Sequence, residues 1–440
     1  MMTSDLPNGF IQRIKSQFPE HSKEILAGFH KDIPTTIQHH WSSGFVNGDN
    51  SINPNTEALS ERPIFPLDPK WHAGAYYVQE GRSQMLYHAV CKAIGDDEQP
   101  KVLDLCAAPG GKSINALNVL KGRGVVWSNE VMPKRYQILK ENLIKWGDPN
   151  IVLSQNQPRD LLPLSGLFDL VMVDAPCSGE GMFRKDPGAV SQWHPGFPHE
   201  CAILQEQILD VAMKLVKEGG HLLYSTCTLA EIENDAQVRR LKESGFEEVP
   251  LNLPQDHQLP SKWGAQYSPG MGTGEGLYHC LLQKSTPSNA LSKGISHAVG
   301  KKRSEQLLKD LPFQLTDQGQ TRLYERKGDL IWLKETVHEL LSFAWESKVK
   351  VQFAGVNIAT LKGKHWVPHP HLAFQKNALD SLDRIDLIEE EALAMLRLAD
   401  PKIQGMGWKI ARYQGFGLGL LKCLGTRNNN YYPKNWRLRL

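Results

Sequence analysis

Between about residues 96 and 285 short apolar runs alternate with helical patterns, and this alternation limits the chain more than any other feature. The runs are KVLDLC, GVVWSNE, NIVLSQN, FDLVMVDA and GGHLLYSTC; the helical patterns between them include RYQILKENLIKWG and LQEQILDVAMKLVKEGG. Continuous apolar runs without polar alternation predict strands covered on both faces. Helices between such strands predict a parallel, doubly wound α/β sheet, a Rossmann-like core. In such a sheet the ligand crevice lies at the carboxyl ends of the strands. Chemistry is therefore sought there first.

The flanks differ in character. Residues 1–95 mix an amphipathic opening (Phe10, Ile11, Ile14, Phe18) with a turn-rich middle, NGDNSINPNTE, and are expected to form an N-terminal domain. Residues 96–285 are expected to form the α/β domain. Residues 286–305 have the composition of a linker. Residues 306–440 carry strand signals (DLIWLK, VQFAGVNIATL, GLGLLKCLG) and one helix, LIEEEALAMLRLA, and are expected to form a β-rich C-terminal domain. With 40% hydrophobic and 22% charged residues, extensive disorder and a fibrous fold are excluded. No apolar run reaches the ~18–20 residues that span a bilayer, and the opening MMTSDLPNGFIQRIKSQFPE has no apolar signal region. Seven cysteines without framework spacing suit a reducing compartment, so the expectation is a cytoplasmic monomer without membrane or obligate protein partner.

The net charge is only +2, but its distribution is uneven. From Pro401 to Leu440 there is no acid, and eight basic residues are present: Lys402, Lys409, Arg412, Lys422, Arg427, Lys434, Arg437 and Arg439. Trp408, Tyr413, Phe416, Tyr431, Tyr432 and Trp436 are interleaved with them. Cations pair with phosphates and aromatic faces stack on bases, so this tail reads as a nucleic-acid surface.

Four strand ends carry chemistry. KVLDL runs into CAAPGGKS, Cys106–Ser113, a small-residue turn that lets backbone approach a ligand at a helix N-terminus. The turn has neither a G-x-G-x-x-G order nor a P-loop frame. Glu130 closes the next strand, where an acid can accept hydrogen bonds from a ribose diol. FDLVMV ends in DAPCSGEG, and HLLY ends in STCTL. Cys177 and Cys227 thus both follow strand carboxyl ends, in turns of small polar residues, where a buried structural cysteine is out of place. Thiolates are strong nucleophiles, which suggests a cysteine-dependent transferase with Asp174 able to contact a polar substrate edge. His194, His199 and Cys201 have a loose metal-ligand spacing without a paired CxxC, so no metal is expected. A serine hydrolase is disfavoured because no G-x-S-x-G elbow occurs.

Taken together, CAAPGGKS, NEVMPKRYQILKENLIKWG, DAPCSGEGMFRKDP and YSTCTLAEIEND resemble the RsmB/RsmF (Nop/Sun) class of S-adenosylmethionine-dependent RNA cytosine-C5 methyltransferases. AGAYYVQEGRSQML matches the lead-in of that class, and GFGLGLLKCLGTRNNNYYPKNWRLR resembles the PUA-like RNA-binding end of its RsmF-type members. The resemblance implies an N-terminal RNA-binding domain over residues 1–95, a catalytic domain over 96–285, and a methyl transfer to a cytosine of 16S small-subunit rRNA, on naked RNA or on the assembled subunit. It implies that Cys227 is the nucleophile at C6 and that Cys177 helps release the product. Asp174 would hold the N3/N4 edge of the cytosine, with Lys112 next to it. Cys106, Ala107, Ala108, Pro109, Gly110, Gly111 and Lys112, together with Glu130 and Asp174, would hold S-adenosylmethionine. In a dry pocket a protonated carboxyl could donate to N3, and the target base must be unstacked to reach the crevice.

Three segments depart from the pattern of the class. Asn156 and Gln157 stand where an acid usually contacts the adenine; PTTIQHHWSSG lacks a usual arginine; YSPGMGTGEGLYHC lacks the basic residues common before its GEG turn. A transfer RNA substrate and a non-catalytic ribosome-assembly factor are the alternatives. DNA cytosine methylation is disfavoured, since no Glu-Asn-Val follows Cys177 and a second cysteine stands in TCT.

Overall fold

A computed structural model describes residues 6–32, 34–48, 53–251, 253, 257–270, 274–285, 309–316, 321–377 and 379–439. The expected linker, 286–305, lies outside the described residues.

The chain opens with two helices, Asn8–Gln17 and Ser22–Gly28. Phe10, Ile14 and Phe18 recur at helical spacing and are buried with Ile25 and Phe29 against Phe183, Trp193 and Leu229. The N-terminus is thereby fastened to the two segments that follow Cys177 and Cys227. Strands β1 (Thr35–His39), β2 (Thr56–Leu59) and β3 (Tyr76–Val78) form a small antiparallel sheet ordered β2-β1-β3. It docks on helix Gly111–Leu120 through Asn118, whose amide donates to the His39 carbonyl and accepts from the Trp41 N–H, both at 2.9 Å.

The expected doubly wound sheet is present. Its strands β4 (Lys101–Asp104), β5 (Val125–Asn129), β6 (Ile151–Ser154), β7 (Phe168–Asp174) and β8 (Val216–Thr226) run parallel in the order β8-β7-β4-β5-β6. The order reverses at β4, so the crevice opens beside its carboxyl end. Strands β9 (Phe246–Glu248), β10 (Gln258–Leu259), β11 (Ala265–Tyr267) and β12 (Leu277–Lys284) extend the β8 edge antiparallel. Helices Leu86–Ile94, Gly111–Leu120 and Pro133–Trp146 cover one face, with Ile114, Leu117, Leu139 and Leu143 in its core. Helices Phe197–Leu215 and Asp235–Glu243 cover the other, with Leu209, Ala212 and Leu241. The helix expected over LQEQILDVAMKLVKEGG stops at Leu215, because Val216 is drawn into the ladder opposite Phe168.

The later chain returns to this core. Strands β13 (Thr321–Arg326) and β14 (Asp329–Lys334) form a hairpin, β15 (Phe353–Ala354) pairs antiparallel with β6, and β16 (Val356–Lys362) and β17 (His365–Pro368) complete the hairpin's sheet. Helix Glu335–Glu346 places Val337, Leu340 and Leu341 in the same core as Leu209, each worth roughly 1.5–3 kcal/mol of apolar burial. VQFAGVNIATL reads as one strand in sequence but serves two sheets. It breaks at Gly355, whose φ is +59° and where a Cβ would stand 2.3 Å from the Trp332 carbonyl oxygen, so only glycine lets the chain turn there.

A last sheet joins β18 (Asp383–Asp386), β19 (Gly405–Tyr413), β20 (Phe416–Gly425) and β21 (Asn428–Asn430). Here the tail reading needs correction. Tyr432 and Trp436 are buried in the core beneath helix Pro133–Trp146, with the Lys145 ammonium 5.1 Å from the Trp436 ring centroid. These two aromatics anchor the domain instead of offering faces to bases. Lys409 and Arg412 meet Asp383 and Asp386 across the β18–β19 pair, so acids before the tail neutralise part of its charge. Lys402, Arg427, Lys434, Arg437 and Arg439 are exposed.

Candidate active site at the strand carboxyl ends

Beyond β4, the loop Cys106–Gly110 leads into helix Gly111–Leu120. Its shape is held from outside. Ala107 N–H donates to the Asn129 carbonyl at 2.9 Å. Arg135 Nη2 donates to the Ala108 carbonyl at 2.7 Å, and Asn142 Nδ2 to the Pro109 carbonyl at 2.9 Å. Beneath it, Asp104 is buried with Oδ2 accepting from Ser113 Oγ at 2.7 Å. Its Oδ1 is buried without a protein partner among the described residues. Burial pushes this carboxyl up to about 7, against the Ser113 hydrogen bond. Burial, aided by the carboxylates of Asp104, Asp174 and Glu130, also pushes the Cys106 thiol up, so Cys106 is a poor nucleophile.

Glu130, past the end of β5, is only 3% exposed. It accepts the Met132 N–H at 2.9 Å, and Arg135 lies 3.7 Å away. A buried acid, a backbone turn and the unpartnered Asp104 oxygen form a polar cradle that fits the hydroxyls and amine of an adenosine-type methyl donor. Past β6, the Asn156 amide donates to the Lys350 carbonyl at 2.9 Å, so its nitrogen is committed to the C-terminal part of the chain. Gln157 is exposed and caps the 3-10 helix Pro158–Leu164.

The reactive groups stand across from this cradle. Asp174 ends β7 and Lys112 begins the helix after β4, and their Nζ–Oδ2 distance is 2.6 Å. Ser225 Oγ donates to Asp174 Oδ1 at 3.0 Å. Asp174 is thus held between Lys112 and Ser225. Burial disfavours the Lys112 charge, yet Asp174 outweighs that and raises its pKa. Cys177 Sγ and Cys227 Sγ, fifty positions apart in the chain, are 3.1 Å from each other. The parallel register sets this, since Asp174 of β7 lies opposite Ser225 of β8. The hydrogen bond to Cys227, followed by burial, pushes the Cys177 thiol well up.

A second layer was not read from sequence. Glu180 is fully buried and receives Arg13, Trp193 Nε1 at 3.0 Å, Thr228 Oγ1 at 3.0 Å and the Leu229 N–H at 3.1 Å. Glu233 receives the Ser178 N–H at 3.0 Å, the Ser178 hydroxyl and Gln205 Nε2 at 2.8 Å. Together they tie each cysteine loop to the other and to the first helix. The only sequence signal was the acid in PCSGEG; nothing in the sequence pairs it with Arg13. Among the described residues no group of three or more His, Cys, Asp or Glu could hold a metal ion, and no helix is long and apolar enough to cross a membrane.

Burial pushes the Glu233 carboxyl from 4.5 up to about 7, against the hydrogen bonds from Ser178. Between those values the folded protein keeps a proton that the unfolded chain has lost, so stability falls as pH rises through the window and levels off above it. Urea unfolding at about pH 5 and pH 8 should show wild type losing roughly 3 kcal/mol more than Glu233→Gln across that interval. Equal slopes for the two proteins would contradict this.

The family model described as "16S rRNA methyltransferase RsmB/F" matches residues 92–283, and "Methyltransferase RsmF PUA domain" matches residues 385–438. Ribosomal RNA small subunit methyltransferase F of Enterobacter sp. (strain 638) is 30% identical over 386 residues, covering 82% of this chain and 77% of that protein. Its counterpart in Escherichia coli O139:H28 is 29% identical over 384 residues, covering 82% and 78%. Among solved structures, PH0851 superposes with a TM-score of 0.57 at 24% identity, covering 63% of this chain and 66% of that one. NSun6 from Pyrococcus horikoshii with SFG gives 0.52 at 16% identity, covering 64% and 98%. At these identities the two structures show the fold alone.

Proposed function

We propose, from the premise that this chain belongs to the 16S rRNA methyltransferase RsmB/F family, that it methylates C5 of a cytosine in small-subunit rRNA through a covalent bond between Cys227 and the base. The enzyme is an S-adenosylmethionine-dependent rRNA methyltransferase. The observation that supports the covalent route is the pair of sulfurs 3.1 Å apart beside the Lys112–Asp174 ion pair.

When bound, S-adenosylmethionine supplies an electrophilic methyl group. Cytosine C5 is a weak nucleophile until C6 gains an electron-rich substituent, and this is the task of Cys227. Its thiolate adds to C6, the C5=C6 π bond breaks, and as N3 takes a proton the displaced electrons form a C4=C5 enamine that reacts at C5. Lys112 and Asp174 hold a proton between them at the cytosine's N3/N4 edge, and the Lys112 ammonium is within electrostatic reach of the Cys227 sulfur. After methylation C5 still carries its hydrogen. A base takes that proton, the S–C6 bond breaks, and the ring regains its unsaturation. Cys177, protonated, donates its hydrogen bond to the departing sulfur. The exposed cations of the C-terminal sheet and the N-terminal unit hold the RNA strand, the enzyme working as a cytoplasmic monomer where ribosomes are assembled.

The test is methyl transfer from labelled S-adenosylmethionine to total RNA of a strain lacking the gene, followed by nucleoside digestion. The expected result is 5-methylcytidine in small-subunit rRNA. Label in transfer RNA alone, or on a nucleoside other than cytidine, overturns the assignment.

A further inference from the structure

The two family matches stop at residue 283 and resume at 385. The unit between them holds a cleft that the reaction does not use. It lies where the β13–β14 hairpin faces helix Pro133–Trp146, over a floor that includes Ile331, Val351 and Phe353. Three cations line it: Lys140, Arg326 and Lys327. None of them forms an ion pair among the described residues; Lys140 lies over the Phe353 ring, 5.4 Å from its centroid. One acid, Asp329, is present, and it already accepts from Thr360 Oγ1 at 2.7 Å and Asn357 Nδ2 at 3.3 Å.

Two further features point to a ligand. Tyr324 and Trp345 line the cleft as a tilted aromatic pair with centroids 5.1 Å apart. Two buried polar atoms are unpartnered. Asn357 Oδ1, in the cleft wall, and the hydroxyl of Tyr136, one turn before Lys140, have no hydrogen-bond partner among the described residues. Tyr136 is 3% exposed, and Arg326 acts on it electrostatically. Burial lowers the pKa of Lys140, the situation of a cation that gains from an added anion.

We propose that this cleft binds one unstacked nucleotide of the RNA strand, its base against Tyr324 and Trp345 and its phosphate at Lys140, Arg326 and Lys327. Aromatic faces accept any base, and the cations accept the phosphate in a sequence-independent way. Asn357 Oδ1 is placed to accept from a ribose hydroxyl or a base amine. The proposal rests on the reading of the chain as an RNA methyltransferase, and it adds a second contact that keeps the strand in register.

The test uses the full chain and a ten-nucleotide single-stranded RNA followed by fluorescence anisotropy, with adenosine monophosphate as competitor. Arg326→Ala combined with Lys327→Ala should weaken RNA binding by about tenfold and flatten the salt dependence by roughly one to two phosphate contacts. Tyr324→Ala should weaken it by about tenfold with the salt slope intact. Arg326→Lys should retain most binding. All variants should keep the wild-type melting temperature, and methyl transfer at saturating RNA should be unchanged. An unaltered Kd and salt slope in the double variant overturns the proposal. So does loss of adenosine monophosphate binding without loss of RNA binding, which would mark a free-mononucleotide site. If wild type binds RNA through this cleft but transfers no methyl group, the failure belongs to the proposed reaction and leaves the cleft standing.

Discussion

Cys227→Ala removes methyl transfer, by at least ~10³-fold, and forms no covalent RNA complex, whereas Cys177→Ala leaves protein trapped on RNA. The two sulfurs are neighbours at 3.1 Å, so position alone does not separate their roles. The surroundings of Cys177 do. The hydrogen bond to Cys227 and the burial around it both raise its pKa and keep its proton on, and a thiol adds poorly to C6. The Lys112 ammonium, held by Asp174 at 2.6 Å, interacts electrostatically with Cys227, the sulfur that adds in the proposed reaction. Losing Cys227 removes the nucleophile. Losing Cys177 removes the donor that helps the sulfur depart, so addition and methylation proceed and elimination stalls. Denaturing gels of each variant with labelled RNA and S-adenosylmethionine read this directly. A slow-migrating complex with Cys227→Ala and none with Cys177→Ala would reverse the roles.

Gly181→Ala lowers activity by about a hundredfold through the backbone that carries Cys227. Its N–H donates to the Cys227 carbonyl at 2.7 Å. A Cβ there would lie 2.7 Å from that same carbonyl oxygen and 2.8 Å from the Gly276 Cα, both backbone atoms. No side chain can swing aside, so the loop carrying Cys227 must shift. Overpacking of this kind costs roughly 1–3 kcal/mol of stability, and a displacement of about 1 Å at a reacting atom costs about 10² in rate. The measurement pairs single-turnover methyl transfer with a thermal melt. Full activity with a lowered melting temperature would place the strain elsewhere and sink the argument.

Much of this site is legible from sequence because it lies where short apolar strands end. Asp174, Cys177, Cys227 and Glu130 follow apolar runs directly, and a parallel sheet gathers strand ends into one crevice whatever joins them. Lys112 is legible because its loop is continuous with the first strand. The resemblance to a known class then supplied the roles. Glu180 and Glu233 escaped because a buried carboxylate is defined by its donors. Those donors come from Arg13, Trp193, Thr228 and Leu229, and from Ser178 and Gln205, which no periodicity brings together.

The aromatic and basic tail divides in the same way. Composition marks it as a nucleic-acid surface, and the exposed Arg427, Lys434, Arg437 and Arg439 remain available for that role. Tyr432 and Trp436 have the same local composition around them, but the docking of the last sheet on helix Pro133–Trp146 buries them. Strand periodicity, loop chemistry and the order of motifs are local properties, so the chain's letters settle the α/β core and put the small-residue loop and the two cysteines at its strand ends. Contacts between distant segments are not local. The 3.1 Å sulfur pair, the split of one apolar run between two sheets at Gly355, and the second shell around Glu180 depend on which surfaces meet, and packing alone settles that.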